Sequence, residues 1–127
     1  GDVPQGAGLS SSASLEVAAG LALAAMAGQP GYDRTRLAMA GQRAEHEFAG
    51  VKCGIMDQFA SVFGKKDSVI KLDCRSLEYE YFPVNMDGYK IVLLDSQVKH
   101  SLASTEYNTR RKQCEEGVEL IKNKFHF

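Results

Sequence analysis

Two stretches of this sequence combine residue types and spacings that do chemistry. The first is Pro4-Gln5-Gly6-Ala7-Gly8-Leu9-Ser10-Ser11-Ser12-Ala13-Ser14. Two glycines one residue apart let backbone N–H groups turn inward and approach an anion closely. Four serines within five positions add small hydroxyl donors. An apolar helical pattern starts directly behind them, and its N-terminal dipole favours negative charge there. Together these features suit the phosphate of a nucleotide. The stretch is not a G-x-x-x-x-G-K-[ST] loop, because no Lys precedes Lys52, and not G-x-G-x-x-G, because position 11 is Ser. A flexible loop ending in a serine N-cap is the plain alternative, yet a cap needs one serine, not four.

The second stretch is Cys53-Gly54-Ile55-Met56-Asp57-Gln58-Phe59, which sets one carboxylate among apolar residues at the start of a short helical pattern. Held beside a substrate hydroxyl, such a group accepts its proton or orients it, an effect worth roughly 10²–10⁴-fold in rate. A dipole-stabilised acid at a helix N-terminus is an equally ordinary use of it. Glu45 and Glu47 stand on opposite borders of the apolar face of the preceding helix, Glu45 roughly 80° from Leu37 at about 100° per residue. Geometry does not choose between them, and a solvated helix charge is the bland use of either. Cys53, Cys74 and Cys114 are odd in number and widely spaced, and His46, His100 and His126 form no H-E-x-x-H or H-x₃-H pattern. The spacing argues against a disulfide framework and a His-based metal site, and buried reduced thiols are expected.

These residues need elements to hold them. A helix is expected from the serine run to Met26, buried because it is apolar on nearly all sides, with Gly28-Gln29-Pro30-Gly31 ending it. Asp33 is the expected N-cap of a second helix reaching about Phe48, with Leu37, Ala40, Gly41, Ala44 and Phe48 on one face and Gly50 closing it. Met56 to Phe63 is a short third helix with Gly64 behind it. The period then changes: Val69 to Leu72 is a strand candidate, and Leu77, Tyr79 and Tyr81 alternate with acids as in a half-exposed strand that Pro83 ends. After the Asn85-Met86-Asp87-Gly88 turn, Tyr89 to Leu94 reads as a buried strand. A polar loop, Ser96 to Ser104, leads into a charged helix from about Thr105 to Lys122, where Arg111 with Glu115 and Lys112 with Glu116 are i, i+4 pairs. The expected class is α/β of the α+β type, with helices packed on a mixed or antiparallel sheet and an internal boundary near Asp87.

The long form of the first motif closely resembles the P-x-G-x-G-L-S-S-S-A-S segment of the GHMP kinases. Cys53 to Phe59 resembles that family's second conserved segment in its galactokinase branch. So do Asp73-Cys74-Arg75-Ser76-Leu77-Glu78, His100 to Tyr107 and Arg110 to Glu116, so the resemblance covers essentially the whole chain. It implies ATP as co-substrate, its phosphates cradled by Gly6, Ala7, Gly8, Leu9, Ser10, Ser11 and Ser12. It also implies Mg²⁺ held by Ser12 and Glu45, which settles Glu45 over Glu47. Asp57 becomes the catalytic base or orienting carboxylate beside the sugar, with the Gly54 backbone and the Tyr107 hydroxyl as further sugar contacts. By its pattern alone, Tyr107 would be a core aromatic. Lys99 stands where family members carry a basic residue. The implied activity is ATP-dependent phosphorylation of galactose at its anomeric hydroxyl. An N-acetylgalactosamine kinase and a non-catalytic galactose and ATP sensor of transcription share this pattern, and the intact serine run favours an enzyme. The implied architecture has two domains, with residues 1–87 the later part of an N-terminal ATP-binding domain and 88–127 the start of a C-terminal one.

Composition sets the frame. The chain has 127 residues, 44% of them hydrophobic and 24% charged, as in globular proteins, and a net charge of -1. A strongly basic nucleic-acid surface is excluded as the main theme. No apolar run reaches the roughly 18 residues of a membrane span; the richest, Leu15 to Ala27, carries Glu16. The expected partners are small molecules, galactose and ATP, with no nucleic acid and no membrane, in a cytoplasmic, monomeric full-length protein. Gly1 as first residue and the apolar Phe125-His126-Phe127 end read as a segment of a longer chain. The G-R-V-N-L-I-G-E-H-x-D-Y pattern of galactokinases does not occur here, so these residues alone are expected to be inactive.

Overall fold

The computed structural model of the chain describes residues 1–29, 31–94 and 103–125, and of 103–105 the backbone alone. Its order is α1 (Ser11–Met26), α2 (Arg34–Ala44) running into a π-helical turn (Glu45–Ala49), α3 (Met56–Phe63), β1 (Ser68–Leu72), β2 (Tyr79–Pro83) and α4 (Ala103–Phe125). The architecture is α+β: α1, α2 and α3 pack on one another, and β1 and β2 form an antiparallel pair with Ile70 opposite Tyr81.

Local chemistry explains the boundaries. The Asp33 carboxylate caps α2 by accepting from the Thr35 and Arg36 N–H groups at 2.9 and 3.1 Å. Gly50, at φ 69°, supplies the left-handed residue on which the π turn ends, with the Val51 N–H donating back to the Glu45 carbonyl at 3.0 Å. Between the strands, Asp73 Oδ1 accepts from the Arg75 and Ser76 N–H groups at 2.7 and 3.1 Å, an Asx turn that reverses the chain.

The core lies where α3 meets α1, α2 and the hairpin. Val17, Ala38, Ile55, Phe59, Val62 and Phe63 are buried together, with Leu21, Leu37, Ile70, Leu72 and Leu77 packed against them. The Phe59 and Phe63 rings stack at 4.2 Å, and Tyr79 meets Phe59 edge-on at 5.3 Å. The Tyr81 hydroxyl donates to the Phe63 carbonyl at 2.7 Å and Arg34 to the Val62 carbonyl at 2.6 Å, tying hairpin and α2 to the end of α3. These contacts fix α3, and with it the position of Asp57.

Several expectations are corrected. Helix α1 buries only Ala13 and Val17 among its residues, while Leu15, Leu23 and Met26 are exposed, because only one side of it meets α2 and α3. The buried line of α2 runs through Ala38 and Gly41 to Glu45, not through Ala40 and Phe48; Phe48 is 88% exposed, carried outward in the π turn. Tyr89 to Leu94 form no strand and are exposed, for no described strand pairs with them. Helix α4 begins at Ala103 and runs to Phe125, longer at both ends than the periodicity suggested; of the expected loop before it, residues 96–102 lie outside the described ones. Cys74 and Cys114 are exposed, and Cys53 is half-buried, so the thiols are free but not buried. The i, i+4 pairs of α4 form as expected, Arg111 to Glu115 at 2.7 Å and Lys112 to Glu116 at 3.7 Å.

Candidate functional site

The glycine–serine stretch adopts a conformation suited to an anion. Gly6, Gly8 and Ser10 all have left-handed backbones, at φ 73°, 71° and 53°. Left-handed residues at every second position are the backbone pattern that can turn N–H groups to one side of a chain, as in anion-binding concavities. Glycine takes such angles freely, whereas a left-handed serine is uncommon and signals a local constraint. The loop delivers the chain into α1, whose N-terminus has no side-chain cap and no acidic residue in its first turn. Ser10 stands at the N-cap position, but its side chain makes no cap bond, and only its carbonyl takes part, accepting from the Ser14 N–H at 3.1 Å. Ser11 is partly buried and Ser12 exposed at the helix start.

One turn into α1 the character changes. Glu16 follows Ser12 by four residues, on the same side of the helix and about 6 Å along it. Its Oε2 accepts from Gln58 Nε2 on α3 at 3.1 Å. Its carboxyl also lies against that of Glu45, which is 8% exposed. Burial, chiefly, pushes the Glu16 carboxyl above its ordinary value; neighbouring Glu45 pushes the same way, and the Gln58 hydrogen bond opposes both. Among the described residues, neither Glu16 nor Glu45 pairs with a Lys or Arg. Glu47, the rival acid, is spent on an exposed pair with Arg43 at 2.7 Å.

Glu45 is buried and Ser12 is exposed at the start of α1, with no hydrogen bond between them among the described residues. A carboxylate without a Lys or Arg partner and a serine hydroxyl are hard-oxygen donors of the kind that Mg²⁺ takes. Among the described residues no three His, Cys, Asp or Glu side chains converge as a complete metal cage. A cation here would therefore draw most of its ligands from phosphates and water.

The second stretch is held from both sides. The Cys53 carbonyl accepts from Gln42 Nε2 at 3.2 Å and faces His46 Nε2 at 2.8 Å, so α2 and its π turn grip the segment just before α3. Burial first, and the Glu45 charge second, raise the Cys53 thiol above its usual range. From the far side comes α4. Asn108 Nδ2 donates to the Gly50 carbonyl at 2.8 Å and its Oδ1 accepts from the Lys52 N–H at 2.9 Å. The Gly54 N–H reaches the Tyr107 hydroxyl over a long 3.4 Å. Gly54 and Tyr107, far apart in sequence, therefore meet. Asp57 sits exposed in the first turn of α3 and makes no hydrogen bond or ion pair among the described residues, leaving its carboxylate open to a ligand. Lys99 lies outside the described residues.

Sequence reasoning missed Glu16, Gln58, Gln42, His46 and Asn108. Two of these carried a signal. Glu16 is the lone charge in an otherwise apolar helix. Gln58 falls three residues after Ile55 and four before Val62, on the inward face of α3. The roles of Gln42, His46 and Asn108 depend on long-range docking that no local spacing encodes.

Residues 1–65 match the sequence profile of the GHMP kinases N terminal domain. The chain is 52% identical over 123 residues to a galactokinase of Thermotoga maritima, covering 97% of this chain and 35% of that protein. With a galactokinase of Clostridium tetani the identity is 43% over 121 residues, covering 95% and 31%. The fold superposes on the crystal structure of Lactococcus lactis galactokinase complexed with galactose with a TM-score of 0.78 and 32% identity, covering 98% of this chain and 32% of that one. The chain thus spans about a third of the length of the relatives it matches.

Proposed function

Since this chain belongs to the GHMP kinases, matching their N-terminal domain over residues 1–65, we propose that it forms the phosphate-binding and part of the catalytic machinery of a galactokinase. The reaction is transfer of the γ-phosphate of ATP to the anomeric hydroxyl of galactose, giving galactose 1-phosphate and ADP. Residues 1–87 then close the ATP-binding domain and 88–127 open the next one.

The observation that carries this reading is the left-handed backbone at Gly6, Gly8 and Ser10 leading into an uncapped helix. In that role Gly6 to Ser12 present N–H groups and hydroxyls to the phosphates. Ser12 and Glu45 would hold Mg²⁺, which neutralises phosphate charge when bound. The Asp57 carboxylate accepts the hydrogen bond of the anomeric hydroxyl, taking its proton or holding it in line for the phosphorus. Gly54 and the Tyr107 hydroxyl, which meet at 3.4 Å, fix the sugar beside Asp57. Galactose as the sugar is supported by the galactokinases at 43–52% identity and by the galactose complex of the structural relative.

The test is Asp57→Asn in a full-length protein, meaning one that carries this chain at the length of its relatives. Galactose phosphorylation is expected to fall by at least about 10²-fold, the lower bound for a positioned base, while calorimetry shows ATP binding unchanged. A variant with near-wild-type kcat refutes the role of Asp57. A wild-type protein that binds galactose and ATP without forming product is a sensor instead.

A further inference from the structure

Where α1, α2 and α3 converge, one polar node has no role in the account so far. Glu16 from α1 and Gln58 from α3 are joined at 3.1 Å, and Glu45 stands at the end of α2 against Glu16. Helix α2 makes room for them with a glycine: a Cβ on Gly41 would lie 2.9 Å from Gln58 Cγ and 3.2 Å from Glu16 Oε2. Gln58 is 1% exposed, and its Oε1 has no hydrogen-bond partner. Two carboxylates and an unpartnered amide oxygen, packed together without a Lys or Arg, form an arrangement that an apolar side chain at position 16 would relieve. A fold keeps such a group where it serves something beyond packing.

We propose that Glu16 is a positioning residue for the cation site: its carboxylate, locked by Gln58, packs against the Glu45 side chain and backs it with a second negative charge. Ser12 is one turn away on the same side of α1, and Glu45 is itself part of the node. The inference rests on the assignment of Glu45 and Ser12 under Proposed function. Its competitor is that Glu16 and Gln58 only tie α1 to α3.

The two separate on Glu16→Gln, which keeps the size and an acceptor for Gln58 but removes the charge. Mn²⁺ is titrated into the full-length protein with a non-hydrolysable ATP analogue, and bound metal is read by electron paramagnetic resonance alongside thermal unfolding. Glu16→Gln is expected to keep the wild-type melting temperature within a few degrees and to weaken Mn²⁺ about tenfold or more, the range found when a metal ligand loses its supporting partner. Glu16→Asp, which keeps the charge but falls one methylene short, is expected to lie between. Wild-type Mn²⁺ affinity in either folded variant overturns the inference. Glu45→Ala is measured beside them. If it loses the metal while the Glu16 variants do not, only the inference fails; if it too binds Mn²⁺ like the wild type, the assignment of Glu45 fails with it.

Discussion

Gly41→Ala puts a number on how tightly the three helices close over the polar node. In the interior of an exposed helix this substitution stabilises by about 0.5–1 kcal/mol, because alanine loses less backbone entropy than glycine. Here the added methyl group would meet Gln58 Cγ at 2.9 Å, closer than real Cβ contacts come, and Glu16 Oε2 at 3.2 Å. Gln58, 1% exposed, has no free space to swing into. Overpacking of this kind costs about 1–3 kcal/mol. Loosening the 3.1 Å bond from Gln58 to the Glu16 carboxylate adds about 1–2 kcal/mol, near the lower end for a hydrogen bond to a charged group. Subtracting the propensity gain leaves a net destabilisation of about 1–4 kcal/mol, centred on about 3 kcal/mol. The control is Gly117→Ala on α4, where a Cβ meets nothing within 4 Å. There propensity acts alone, and a stabilisation of about 0.5–1 kcal/mol is expected. Urea unfolding of the full-length protein, followed by circular dichroism with m held to its wild-type value, measures both. If Gly41→Ala is as stable as the wild type, or moves in the same direction as Gly117→Ala, the packing argument is wrong.

Two further outcomes test other parts of the site. Asn108→Ala removes the 2.8 and 2.9 Å bonds that hold residues 50 and 52 against α4; it is expected to raise the KM for galactose several-fold while leaving ATP affinity unchanged, and an unaltered sugar KM would separate α4 docking from sugar binding. Burial raises the Cys53 thiol, while Cys74 and Cys114 are exposed. Limited alkylation of this chain at pH 8, mapped by mass spectrometry, is expected to label Cys74 and Cys114 before Cys53, and the reverse order refutes the burial of Cys53.

What was legible in the sequence depended on how local its cause was. Asp33 capping α2, the extent of α3 from Met56 to Phe63 and the ion pairs on α4 follow from neighbours within four residues, and all appear as expected. The Tyr79 to Pro83 strand was legible for the same reason, although it starts at Tyr79 and not Leu77 and is exposed along its length, not half-exposed. Burial was not, because it depends on what packs where. The apolar pattern of α1 suggested burial on every side, yet α2 and α3 cover only one of them. Counting 3.6 residues per turn along α2 put Phe48 inside and Glu45 at the border. The structure inverts the two, since the π turn widens the helix at that point and turns Phe48 outward. Resemblance set Gly54 and Tyr107 each against the sugar, but their meeting was not legible, for 53 residues separate them.

Glu16 shows how a residue can be in plain view and still be misread. As a charge within an apolar run, it counts only as an argument against a membrane span, and among the described residues no helix is long and apolar enough to cross one. A charge that an amphipathic pattern cannot place on a solvated face must, however, be buried with partners or be exposed at a cost in packing. Glu16 is half-buried, and its partners lie on the two other helices of the site. The same node bears on the near-neutral charge of the chain. A net charge of -1 over these residues offers ATP no long-range attraction from them, and the Glu16 and Glu45 carboxylates repel a phosphate brought near. In the role proposed for the glycine loop, backbone N–H groups at Gly6, Gly8 and Ser10 supply the attraction at contact distance. On the proposed reading, the carboxylates then act as selectivity: a bare polyanion is disfavoured, and the nucleotide that arrives with its cation is accepted.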